Sequence, residues 1–240
     1  MSDRRTITDR RTHRCPVDAT GERDDRREAW ASLYTLLAEG FKHPDERFHR
    51  DVREGRFAAE LARLADTLCV PLPDGPGAPD AVPASRAAFD SAYVALFEGL
   101  ATPYAPLIES VYRPWHDGPA SGGLRSGPAA ADMRARYDAI GVSTPDAYAA
   151  DHLTLLLEYA ATLLRAEEDA AYLTFVEQHL DWLPALSRLA DDAVAEAPFH
   201  RYCVAAVCET VATVRDRERL PPPGPDAIAE TCERARTHVG

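Results

Sequence analysis

Apolar residues recur at helical spacing over most of the chain, and no segment sustains the period-two alternation of a half-buried strand. The first clear run is EAWASLYTLLAEGF, residues 28–41, where Trp30, Leu33, Leu37 and Phe41 share one helical face. HPDE then restarts the chain, and FAAELARLADTLC continues the helical pattern before VPLPDGPGAPDAVP, residues 70–83, breaks it with proline and glycine. A further helix is expected near 84–99. After it comes a long irregular stretch, ATPYAPLIESVYRPWHDGPASGGLRSGP, of a length that usually serves function or mobility.

Helical signals resume in AAADMRARYDAIG, where Gly141 reads as a C-terminal stop. STPD follows as an N-terminal signature, with Thr144 as cap and Pro145 in the first turn. Helices then run to about 219, with Pro184 kinking or restarting one of them. PPPGP closes the packed body and leaves a short, loosely attached final helix. The pattern predicts an all-α fold, a single globular bundle of about 8–10 helices spanning 28–220. A disordered tail is expected over 1–27, and a Pro-rich segment with a short helix over 221–240. No repeat of fixed period points to a solenoid.

One helix is unusual. In YAADHLTLLLEYAATLL, residues 148–164, leucine and alanine cover nearly every face, while Asp151, Thr154, Glu158, Thr162 and Arg165 form a single polar stripe. That stripe is either the solvent face of the helix or the wall of a groove. Asp151 and His152 sit at the positive end of the helix dipole, which stabilises a carboxylate and favours a neutral imidazole. In FVEQHLDWLPAL, Phe175, His179, Trp182 and Leu186 share a face and read as core, with the His and Trp polar atoms hydrogen-bonded.

Composition narrows the function. The five cysteines are scattered without a C-x-x-C pair, which argues against zinc, iron–sulfur and secreted disulfide scaffolds and suits a cytoplasmic compartment. No run is long and apolar enough to insert in a membrane. The twin arginines of DRRTITDRRTHR precede nothing hydrophobic, so this stretch is not expected to act as an export leader. Residues 1–27 hold eight arginines against six acids, leaving 19 basic and 33 acidic residues in the body, a balance that disfavours nucleic acid. An acidic body favours cationic partners. Salt adaptation or a GC-rich coding sequence gives the same composition, one lysine and 26 arginines included.

Enzyme motifs are absent. There is no G-x-S-x-G elbow, no phosphate-cradling glycine loop and no His pair at metal-ligand spacing. No cofactor and no metal is expected. The alternative is an all-α metal-dependent hydrolase built on Asp151, His152, Glu158 and His179.

LFEG at 96–99, the prolines and ESVY within 103–112, DHL with its leucine-rich helix at 151–164, and F-x-x-x-H-L-x-W-x-P at 175–184 occur in this order. Together they resemble the TorD/DmsD/NarJ family of chaperones that mature molybdenum-containing redox enzymes. Tyr148, Ala149, Ala150 and Leu156 replace residues more usual in that family around the Asp-His pair. The resemblance implies a non-catalytic, cytoplasmic protein, a monomer or a domain-swapped dimer. It would bind the twin-arginine-type leader, or the apo form, of a molybdoenzyme catalytic subunit until cofactor insertion is complete. It further implies a peptide groove lined by Glu109, Ser110, Tyr112, Asp151 and His152, with Glu158 along the same seam. Asp151 and Glu109 would meet the leader's arginines through charge-assisted hydrogen bonds, and Tyr34, Tyr104 and Tyr112 would form its apolar walls.

Overall fold

Leu33, Tyr34 and Leu37 follow the expected helical period, and the computed structural model turns their face fully inward on α1 (Thr20–Glu39). The structure describes residues 20–74, 82–99, 102–113, 127–145 and 147–239. Part of the 70–83 linker, much of the long stretch after 100 and residues 1–19 of the expected tail lie outside them. Helix α1 starts earlier than the periodicity suggests. Arg27 ties its first turns together by pairing with Asp24 at 3.1 Å, and it reaches Asp169 at 3.3 Å, so a charged segment is held helical by ion pairs.

The described residues form eleven helical segments, one of them a single turn, and no strand. Asp45 caps α2 (Glu46–Arg53) by accepting from the Phe48 N–H at 2.7 Å, and α3 (Arg56–Leu68) follows directly. Ser85 caps α4 (Arg86–Phe97) in the same way. The single turn α5 (Glu109–Tyr112) and α6 (Pro128–Ala139) come next, α6 closing at Gly141 with φ +69° as the sequence predicted.

Helix α7 (Leu153–Arg165) is the axis of the bundle. Ten of its thirteen residues are buried, because α1 packs along one side and α8 (Asp169–His179) along another. The chain restarts at Pro184 in α9 (Leu183–Asp192), which lies between α10 (Pro198–Glu218) and α11 (Pro225–Val239). Phe48, Phe57, Phe89 and Phe199 form an aromatic knot that joins α2, α3, α4 and α10, with ring centroids 5.3–6.3 Å apart.

Two expectations need correction. STPD does not start a helix: residues 142–145 are irregular, the described residues 147–151 run mostly in turns, and α7 begins only at Leu153, just after His152 pairs with Ile108. Nor is the last helix loosely attached. Ala235 and Cys232 are buried against α9 and α5, and Arg234 donates to the Tyr112 carbonyl at 3.2 Å. Cys203, Cys208 and Cys232 are free; burial pushes the Cys208 thiol up to about 12, so it is inert as a nucleophile at neutral pH. Cys69 is disulfide-bonded, a pairing that the scattered spacing gave no sign of.

Candidate functional site

The ESVY and DHL stretches meet. Ile108 and His152 form an isolated antiparallel bridge, in which Glu109 N–H donates to the Asp151 carbonyl at 3.1 Å and Leu153 N–H to the Leu107 carbonyl at 2.8 Å. One short zipper thus fixes residues 107–109 of the long irregular stretch to the mouth of the most buried helix.

Side chains reinforce it. Asp151 is fully buried, and its Oδ2 accepts from the Ser110 N–H at 2.8 Å and from the Ser110 hydroxyl. The other oxygen, Oδ1, is buried without a hydrogen-bond partner. Burial pushes the Asp151 carboxyl above the ordinary range, against the opposing pull of the two Ser110 bonds. His152 is the N-cap of α7: its Nδ1 accepts from the Thr154 N–H at 3.3 Å, so the histidine does the work more often given to Asp or Ser.

Behind the zipper lies a second network. His179 Nδ1 sits 2.8 Å from Glu109 Oε2, both side chains sealed from solvent, and His179 Nε2 sits 3.1 Å from Asp132 Oδ2 on α6. Trp182 donates its indole N–H to the His179 carbonyl at 2.8 Å and stacks on Tyr112, centroids 4.7 Å apart. Three helices and the single turn α5 are thereby locked around one imidazole. The expectation that His179 and Trp182 are satisfied core residues matches this arrangement.

The eight residues expected to line a groove divide by accessibility. Glu109, Asp151, Tyr112 and Tyr34 are fully buried: the acids face Ser110 and His179, Tyr112 faces Trp182, and Tyr34 shares a hydrogen bond with Tyr172 at 2.9 Å. As drawn, none of the four meets an incoming peptide. Ser110, Tyr104 and Glu158 are half-buried, and His152 keeps 7% of its surface. Tyr104 packs on Gly99 of LFEG, which has φ +81° and where a Cβ would come within 3.0 Å of the ring. The polar stripe of α7 also divides, because Asp151 and Thr154 are buried while Thr162 and Arg165 are exposed. Glu158, between them, pairs with Lys42 at 2.8 Å.

A cavity of about 150 Å³ opens beside His152, walled by Phe97, Leu107, Ile108 and Tyr148 and bordered by His43 and Glu98. Sequence reasoning missed His43, Tyr93 and Glu98, which the turn after α1 brings together by docking on α4, where the Tyr93 hydroxyl donates to the Phe41 carbonyl at 2.9 Å. One signal was present: Glu98 is the C-cap of α4, where the helix dipole disfavours a carboxylate.

The model of the nitrate reductase delta subunit family matches residues 54–188, more than half of the chain. The chain belongs to that family. It is a NarJ/TorD-type family of chaperones for molybdoenzyme maturation, non-catalytic, whose members bind molybdoenzyme catalytic subunits. No curated protein matches the chain. The matched span includes the LFEG, ESVY and DHL stretches and F-x-x-x-H-L-x-W-x-P, all parts of the zipped junction. No described helix is long and apolar enough to cross a membrane.

The residues of the hydrolase alternative are not gathered into one centre. Asp151 is committed to Ser110, His152 to the α7 cap, Glu158 to Lys42 and His179 to Glu109 and Asp132. Among the described residues no group of three or more His, Cys, Asp or Glu is placed to hold a metal ion.

Proposed function

We propose that this protein binds the N-terminal leader, of twin-arginine type, or the apo form of a molybdoenzyme catalytic subunit, and holds it on the cytoplasmic side until the cofactor is inserted. The observation that carries this reading is the zipper of Ile108 and His152, which sets the family's two loop motifs beside an open cavity with apolar walls. A leader offers arginines followed by an apolar run. Its receptor needs carboxylates beside an aromatic trough, and opposite charge speeds their encounter. The body of the chain supplies that charge.

In this reading Glu109 and Asp151 act from beneath. They fix the backbone of 107–112 and 149–153, while His152, Tyr104, Ser110 and Glu158 stand at the accessible rim. Affinity capture from the native host, at the host's own salt, tests the proposal: a molybdoenzyme catalytic subunit is expected to co-purify and to be identified by peptide sequencing. Recovery of no redox-enzyme subunit, together with no binding to a synthetic twin-arginine leader, overturns it.

A further inference from the structure

His43 borders two cavities at once. One is the cavity of about 150 Å³ beside His152, and the other, about 420 Å³, is lined by Leu36, Phe48 and Phe57 and carries both signs of charge, Glu39, Asp45 and Asp51 with Lys42, Arg47 and Arg56, so the acidic end of the pair is the His152 side. The His43 ring therefore stands in the middle of one trough with aromatic and aliphatic walls on both sides.

The side chains that meet the His43 ring nitrogens are both acidic. His43 Nε2 lies 2.7 Å from Glu98 Oε1, and Nδ1 lies 3.7 Å from Asp90 Oδ1. These side chains are well exposed, His43 by 49%, Glu98 by 42% and Asp90 by 38%, so a guest can reach them. Among the described residues no lysine or arginine pairs with Asp45, Asp90 or Glu98. Lys42, the nearest cation in sequence, is turned towards Glu39 and Glu158. Two helices also end here: α1 stops at Glu39, and α4 stops at Phe97 with Glu98 as its cap. Their C-terminal dipole ends add partial negative charge to that of the carboxylates. Placing Glu98 at a helix C-terminus is locally unfavourable, and a cation resolves it.

Resting on the proposed function, we infer that this trough seats an arginine-bearing, apolar segment of the client, with Glu98 and Asp90 taking a guanidinium in place of His43. A planar guanidinium matches two carboxylates flanking one slot, and Tyr93, whose ring centroid is 4.7 Å from that of His43, offers it an aromatic face. The apolar residues that follow then lie against Phe97, Ile108 and Tyr148. His43 is also fixed from the far side, its backbone N–H donating to the Tyr148 hydroxyl at 3.2 Å, and the Tyr148 ring meets His152 at 4.6 Å. The rim thus connects directly to the zipper.

A rival seat exists and has the wrong charge. The cavity between α9, α10 and Pro221–Pro223, about 500 Å³, is the more apolar one, yet its lip carries Arg215 and Arg219 against the single Asp216. It repels an arginine that the His43 trough attracts.

The test uses the full chain and two synthetic peptides, a leader-type peptide with paired arginines before an apolar run and the same peptide with citrulline at both arginines, titrated by fluorescence anisotropy. On the wild type the citrulline peptide is expected to bind about tenfold or more weakly, the loss typical of a charge-assisted contact. On the E98Q/D90N double variant, whose changes are at exposed positions, the two peptides are expected to bind within about threefold of each other. Ala212→Arg, which fills the rival cavity from an exposed position, is expected to leave both affinities within about twofold. Discrimination that survives in E98Q/D90N overturns this seat while leaving the proposed function standing, and so does binding abolished by Ala212→Arg alone. A wild type that binds neither peptide removes the proposed function and this seat together.

Discussion

At the scale of single residues, Asp151 illustrates how burial changes a role that spacing suggests. Its place before a leucine-rich helix marks it as special, but sequence does not reveal that Ser110 lies 2.8 Å away or that no solvent reaches it. Removing it has a definite expected effect. Asp151→Ala strands the buried Ser110 donors and is expected to lower unfolding free energy by about 2–3 kcal/mol, whereas Asp151→Asn keeps an acceptor there and is expected to cost under about 1 kcal/mol. The pH dependence separates them further. Burial raises the folded-state pKa of Asp151 above its unfolded value, so between those two values the native state binds the extra proton and stability falls as pH rises through the raised value. Asp151→Asn lacks that fall. Urea midpoints of the two variants and the wild type, taken from the ordinary carboxylate range up to neutrality, measure both effects.

At the scale of elements, apolar periodicity located most helices well, because a helix that buries one face must repeat that face every turn. It misplaced the start of α7, where local capping chemistry favoured Thr144 and long-range pairing of 107–109 with 151–153 prevailed. It also undervalued α11. The apolar positions of that helix are few, Ile228, Cys232 and Ala235, and only the docked structure reveals that they close the α5–α9 junction over the Tyr112–Trp182 stack. Ala235→Asp, which buries an unpaired charge at a site with no exposure, is expected to destabilise by about 2 kcal/mol or more and to open the 225–239 segment to protease. A variant that melts with the wild type and resists digestion equally would return α11 to the status of a loose appendage. The rim at His43 escaped periodicity for a related reason. His43 follows α1 while Asp90 and Glu98 belong to α4 and its cap, and nothing local announces a meeting between segments so far apart in the chain.

At the scale of the whole molecule, the fold class was legible because every level pointed the same way, from helical spacing to capping and glycine stops. The buried polar centres were less so, since sequence does not tell which ionisable residues a bundle will enclose. His200 is the clearest of these and ties the outer helices together. It packs among Phe89, Tyr93, Phe97 and Phe199, with ring centroids 4.7–5.8 Å away, and its Nδ1 is buried without a partner. Burial alone pushes its pKa down to about 3. The sign follows from linkage: below its unfolded-state value of 6.5 the unfolded chain takes a proton that the native state refuses, so stability is lost as pH falls towards about 3. Each pH unit in that window costs about 1.4 kcal/mol from this one group. His200→Phe removes the proton site and keeps an aromatic ring in the cage. Overpacking adds a penalty of about 1–3 kcal/mol at every pH, but the slope is the readout. Between pH 6 and 4 the variant is expected to lose less stability than the wild type by about 1.4 kcal/mol per unit, measured by chemical denaturation at each pH. Parallel curves would mean that the knot of α2, α4 and α10 admits water or a counter-charge to His200.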